Sequence, residues 1–179
     1  MRKSERAKLT GRIALLGVLG AQALALSFIE SLLPPLPGMP PGAKPGFSNI
    51  VTMYTVSYIG TKQALLITLI KAIFAGLTRG PSAFMMSLAG GLLSTFVMAS
   101  MLRISGRPNG IAGISVASAA AHNMGQLLAA MFLLRSTALV GYLPVLIFFS
   151  VATGLVTGTI LKYLLPALDR QSEFFLLHK

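Results

Sequence analysis

The chain contains no cysteine and no tryptophan, and only four of its 179 residues are acidic. Without cysteine there are no disulfides, thiolate metal sites, iron–sulfur clusters, cysteine nucleophiles or palmitoyl anchors. The acids are Glu5, Glu30, Asp169 and Glu173, and no two fall together within the apolar regions. Prenyl transfer from an allylic diphosphate needs clustered carboxylates to hold Mg²⁺ at the leaving group, and this chain cannot assemble them. Asp169 lies beyond the last apolar run, so a Ser/His/Asp triad is also excluded. Neither "GTKQALL" nor "GISVASAAAH" has the G-x4-G-K-[ST] spacing that cradles nucleotide phosphates. The chain is therefore expected not to be an enzyme, to carry no cofactor, and to rely on other subunits for any ATP-driven work. His122 has no second His, Asp or Glu beside it, so no metal site is expected either. A net charge of +11 raises the question of nucleic acid. The basic residues sit at the ends of apolar runs rather than in one patch, and stacking aromatics are few, so no nucleic-acid partner is expected.

What the chain has in abundance is apolar surface: 54% of residues are hydrophobic and 11% charged, with a mean hydropathy of +0.77. That is the composition of a membrane protein. About 20 apolar residues are needed to cross roughly 30 Å of hydrocarbon. On that criterion the chain reads as an all-α bundle of about six transmembrane helices, near Gly11–Leu33, Phe47–Gly60, Gln63–Leu77, Ser82–Leu102, Ile111–Leu134 and Tyr142–Leu165. The second and third are short for full spans. A basic N-terminus (1–10) precedes the membrane domain (11–166), whose first loop (34–46) is rich in Pro and Gly, and a tail (167–179) follows. The opening residues mimic a signal peptide, with a small-x-small site at Ala23-Leu24-Ala25, but the apolar run continues through "LSFIESLL" and reads as an uncleaved first helix. With both termini in the cytoplasm, eleven of the fifteen Lys and Arg lie inside, Lys44, Arg79 and Arg135 lie outside, and Lys71 falls within the membrane. This bias agrees with six crossings and puts the proline loop outside.

Several polar groups occupy positions where lipid would penalise them. Lys71 lies nine residues past Lys62, about 13 Å along a helix and near the bilayer midplane. A charge there needs a partner or a wet cavity. Ser115, Ser118, His122 and Gln126 follow helical spacing along one stripe, with Asn123 beside it. Ser48, Thr52 and Thr55 form a shorter stripe flanked by Asn49 and Tyr54. Glu30 is the one acid in the apolar regions, with Lys44 or Lys71 as its expected partner. Together Glu30, Asn49, Lys71, His122 and Gln126 suggest an outward cavity, and the stiff loop "PPLPGMPPGAKPG" suggests a lid over it that carries Lys44. Gly17, Ala21 and Ala25 recur every four residues, bordered by Gly20 and Leu24. Such a strip admits close helix contact, either within the bundle or with a separate subunit. Gly90-Gly91, Gly154 and Gly158 read as internal packing sites.

The stretches "PPLPGMPPGAKPGFSNIVTMY", "AGLTRGPSAFMMSLAGGLLSTFVM" and "GISVASAAAHNMGQLLAAMF" resemble the Gx transporter family, often labelled heptaprenyl diphosphate synthase component I, over roughly Gly11 to Leu165. That family is similar to the substrate-binding S components of energy-coupling factor (ECF) transporters, six-helix proteins with an outer site capped by the first loop. The resemblance nominates Glu30, Lys44, Asn49, His122, Asn123 and Gln126 as substrate-binding residues; Lys71 enters from its depth alone. It also implies docking through an A-x3-A motif, matched by Ala21 and Ala25, with Gly17 in the same strip. The implied partners are a coupling membrane subunit, ATPases and a flavin-, quinone- or isoprenoid-like ligand. The expected location is a bacterial cell membrane. The alternative is a non-catalytic membrane accessory for polyprenyl diphosphate or quinone biosynthesis, or for a membrane redox complex.

Overall fold

The structure, a computed structural model, describes residues 3–34, 43–105 and 110–177; for 3–5, 7, 8, 105 and 164–177 it describes the backbone alone. Residues 35–42, which hold most of the proline loop, lie outside the described residues, as do Arg2, Arg107 and Lys179. Six α-helices follow in order: α1 Lys3–Leu32, α2 Asn49–Tyr58, α3 Thr61–Arg79, α4 Pro81–Ser105, α5 Ile111–Leu134 and α6 Leu143–Leu177, with a short 3-10 helix at Thr137–Tyr142. In lipid no water competes for backbone N–H and C=O groups, so long apolar runs close their hydrogen bonds internally as helices. Punctuation fixes the ends. Gly80 at φ +95° turns the chain in one residue from α3 into α4, and Pro81 occupies the first helical position, where its missing N–H costs nothing.

Five helical stretches are long and apolar enough to cross a membrane: Leu9–Leu32, Thr61–Arg79, Pro81–Ile104, Ile111–Leu134 and Thr137–Tyr163. The chain is a multi-pass membrane protein. The expected span at Phe47–Gly60 differs from the others. α2 has 10 residues, about 15 Å of rise and half of a bilayer core. Pro45 and Gly46 precede it as buried, non-helical backbone. Irregular chain at this depth is tolerated only when protein covers it and supplies its hydrogen bonds. α2 meets that condition, with Asn49, Val51, Thr52, Met53, Tyr54, Thr55 and Ser57 all buried.

Two apolar clusters hold the bundle. One joins Leu19 and Ala23 of α1, Val51, Met53 and Tyr54 of α2, Ile67 of α3, Met98 of α4, Ile114 of α5 and Leu161 of α6. The other joins Met86 of α4, Leu127 and Ala130 of α5, Leu139 and Leu146. Along α5, His122 falls between Ile114 and Leu127; along α4, Gly90 and Gly91 fall between Met86 and Met98. The polar residues thus occupy a layer between two greasy ones.

Glycines set the closeness of α4, α5 and α6. A Cβ on Gly125 would lie 2.6 Å from the Ala89 carbonyl oxygen, and one on Gly90 2.8 Å from that of His122. Gly154 abuts the Val116 backbone, and a Cβ on Gly158 would meet the Ala112 Cα at 3.1 Å. These are internal packing sites. The strip on α1 is not: Gly17, Ala21 and Ala25 are exposed, and a Cβ on Gly17 would meet nothing within 4 Å. The opposite face of α1, with Leu19, Ala23, Ser27 and Glu30, enters the bundle.

Candidate functional site

The loop returning from α1 is pinned into the bundle by a side-chain amide. The Lys44 N–H donates to Gln126 Oε1 at 2.9 Å, and Gln126 Nε2 donates back to the Lys44 carbonyl at 3.2 Å. Both backbone groups of Lys44 are thereby satisfied, which permits a non-helical chain here. The Lys44 ammonium reaches the Ser27 carbonyl of α1 at 3.1 Å. Gly46 then turns at φ +87°. A Cβ there would lie 2.9 Å from Asn49 Nδ2 and 3.0 Å from His122 Cδ2, so conformation and close approach both require glycine.

Glu30 is buried near the end of α1 and meets the start of α2. Its carboxylate accepts from the Ser48 N–H and from the Ser48 hydroxyl, each at 3.3 Å. A carboxylate at a helix N-terminus is favoured by the unpaired N–H groups and the dipole. Lys71 and Lys44, the expected partners, act on Glu30 through space, while Ser48 makes the hydrogen bonds. Lys71, 5% exposed, donates from Nζ to Asn49 Oδ1 at 2.9 Å. This bond joins the middle of α3 to the first residue of α2.

His122 is buried on α5, edged by Gly90 on one side and Gly46 on the other. Asn123 points elsewhere. Its Nδ2 donates to Ser150 Oγ at 2.8 Å, tying α5 to α6. The lower part of the α5 stripe does the same, with Ser115 Oγ 2.6 Å from Thr157 Oγ1. Of the seven nominated residues, Glu30, Lys44, Lys71, His122 and Gln126 line one hollow, Asn49 buttresses it through Lys71, and Asn123 belongs to the α5–α6 contact.

Sequence reasoning missed Arg79, Ser27 and Thr68, which also line the hollow. Arg79 had a signal: it lies two turns beyond Lys71, on the same side of α3. Thr68 faces Thr95 of α4 across 3.1 Å, and Ser27 contributes through a carbonyl that no side-chain pattern marks. The Lys44 ammonium is pushed down to about 8, first by burial and then by the neighbouring Arg79 charge, with Glu30 opposing. The space left is small, about 20 Å³ for the centres of water-sized molecules, room for about one water. The arrangement is a charged hollow, with Lys44 and Ser48 of the segment ahead of α2 in its wall.

No curated protein and no solved structure matches the chain. A family match covers residues 19–164, a span that takes in the whole of the hollow. By this match the chain belongs to the family described as heptaprenyl diphosphate synthase component I.

Proposed function

We propose that this protein is the ligand-capture subunit of an ECF-type small-molecule uptake system, similar to an S component. It takes its ligand into the hollow from outside the cell, beneath the loop ahead of α2. It has no catalytic role of its own and works with a coupling membrane subunit and ATPases. In this reading it lies in a bacterial cell membrane with both termini in the cytoplasm. The observation that carries it is the convergence of Glu30, Lys44, Lys71, His122 and Gln126, from three helices and one loop, on a single hollow. Structural polar groups within a membrane bond neighbouring helices pairwise, as Asn123 and Ser150 do; five functional groups around one space is the pattern of a pocket. The exposed strip of Gly17, Ala21 and Ala25 supplies a face on which a coupling subunit can dock closely.

Mass spectrometry of the detergent-purified protein tests the proposal. A small molecule should co-purify with the wild type and be lost from Lys71→Leu and His122→Ala, while circular dichroism reports an intact bundle. Capture is refuted if nothing co-purifies and both variants assemble with their partners as the wild type does. The family description favours one second reading, a non-catalytic membrane accessory to polyprenyl diphosphate synthesis. Under that reading a prenyl-transfer enzyme, rather than ATPases, is recovered with the protein.

A further inference from the structure

The capture reading leaves the chemistry of the ligand open, and the charges around the hollow narrow it. Three cationic side chains, Lys44, Lys71 and Arg79, and one carboxylate, Glu30, line the space. Their formal charges sum to +2. Glu30 accepts from Ser48 and acts on the lysines through space, and one carboxylate offsets only one of the three cations. Lys71 is 5% exposed and spends one donor on Asn49, whereas an ammonium carries three. Lys44 likewise spends one donor, on the Ser27 carbonyl. An excess of positive charge taken out of water is costly unless something of opposite sign joins it. Nothing in the fold of the described residues supplies that charge: Glu30 is the one acid among the residues facing the hollow.

We propose that the hollow takes an oxyanion, the carboxylate or phosphate of a small organic ligand, with Lys71 at its floor and Lys44 and Arg79 at its mouth. The proposal rests on the capture reading. The ammonium groups supply point charges, and the guanidinium supplies a planar fork suited to two oxygens at once. Lys71 is buried, while Lys44 and Arg79 are half-buried, so the anion meets the outer pair before the inner charge. Lys44 belongs to the segment ahead of α2 that lines the site.

The test uses the full chain in neutral detergent, with thermal unfolding followed by circular dichroism at 222 nm. The probes are sodium acetate, inorganic phosphate and inorganic diphosphate, each against chloride at matched ionic strength. At least one oxyanion is expected to raise Tm with its concentration, as any ligand of the folded state does. Its apparent affinity should fall at least tenfold in Lys71→Met and in Arg79→Gln, and recover in part in Arg79→Lys, which restores the charge but not the fork. Arg79→Gln leaves the Lys71–Asn49 bond in place, so its result stands even if Lys71→Met folds poorly. Acetate alone acting marks a carboxylate ligand; phosphate or diphosphate acting marks a phosphate ester. A shift equal in wild type and Arg79→Gln overturns the proposal. So does the absence of any shift: if a neutral molecule nonetheless co-purifies, capture survives without the anion, and if none does, both fail.

Discussion

Replacing Gln126 with Leu removes the amide that pins the loop and leaves its surroundings apolar. Two hydrogen bonds go, at 2.9 and 3.2 Å, and with them the partners of the Lys44 N–H and carbonyl. A buried backbone group left unsatisfied costs about 1–3 kcal/mol. Lys44 is only half-buried, so the lower part of that range applies, roughly 2–3 kcal/mol for the pair. At about 1.4 kcal/mol per factor of ten, the open loop becomes about 30- to 150-fold more populated. Because the chain has no cysteine, Ala43→Cys provides one thiol on the loop, where Ala43 packs against the α4–α5–α6 cluster. Labelling of that thiol by a bulky maleimide follows the open population when the loop opens and closes faster than it reacts. The rate should therefore rise at least 30-fold in the Gln126→Leu background, by the same conversion, while the helical melt moves by only a few degrees. Equal rates in the two backgrounds would mean that the amide does not hold the loop, and the reasoning about closure would fail with it.

Gly46→Ala should open the same loop and lower Tm, since the added methyl meets Asn49 and His122 at 2.9–3.0 Å in a φ that disfavours it; unchanged labelling at Ala43→Cys would contradict this. Gly125→Ala should cost about 1–3 kcal/mol in a denaturant or thermal titration by overpacking the α4–α5 contact, whereas Gly17→Ala should fall within about 0.5 kcal/mol of wild type. Ala21→Leu should leave the melt unchanged and reduce recovery of a coupling subunit in pull-down; loss of folding would place the strip inside the bundle. For Lys44 the sign follows from a folded pKa of about 8 against 10.5 unfolded. Below pH 8 both states hold the proton and the burial penalty is constant; between pH 8 and 10.5 the unfolded state holds more protons, so stability rises with pH. Circular-dichroism melts should show that rise in wild type and a flatter profile in Lys44→Met.

The helices were legible because in lipid each must close its own hydrogen bonds, and apolar length is then sufficient evidence. Ile111–Leu134 was bounded to the residue, since Gly110 and Arg135 flank it. The segment Phe47–Gly60 was apolar enough but not helical enough. The chain leading into it is held by partners far away in sequence, Lys44 by Gln126 and Ser48 by Glu30, and no local pattern announces them. Lys71 and His122 were found because ionisable groups stand out against an apolar background. Arg79 escaped because a cation at a helix end reads as an interfacial anchor; only its phase with Lys71 distinguishes it. Asn123 was nominated beside His122 by the family resemblance, yet one step along a helix is about 100° of rotation, enough to turn it to Ser150 of α6.

In the proposed capture role, the same bonds that allow irregular backbone inside the bundle also decide how the site opens. A full α-helix in place of residues 43–48 would satisfy its own N–H and C=O groups and could not lift without breaking many bonds together. The loop depends instead on a few side-chain contacts: Gln126 on Lys44, and Glu30 on Ser48. Breaking these costs a few kcal/mol, small enough to be offset by an anion that pairs with Lys44 and Lys71. Stable helices on every side and one weakly held segment between them is the distribution of stability that a capture site requires.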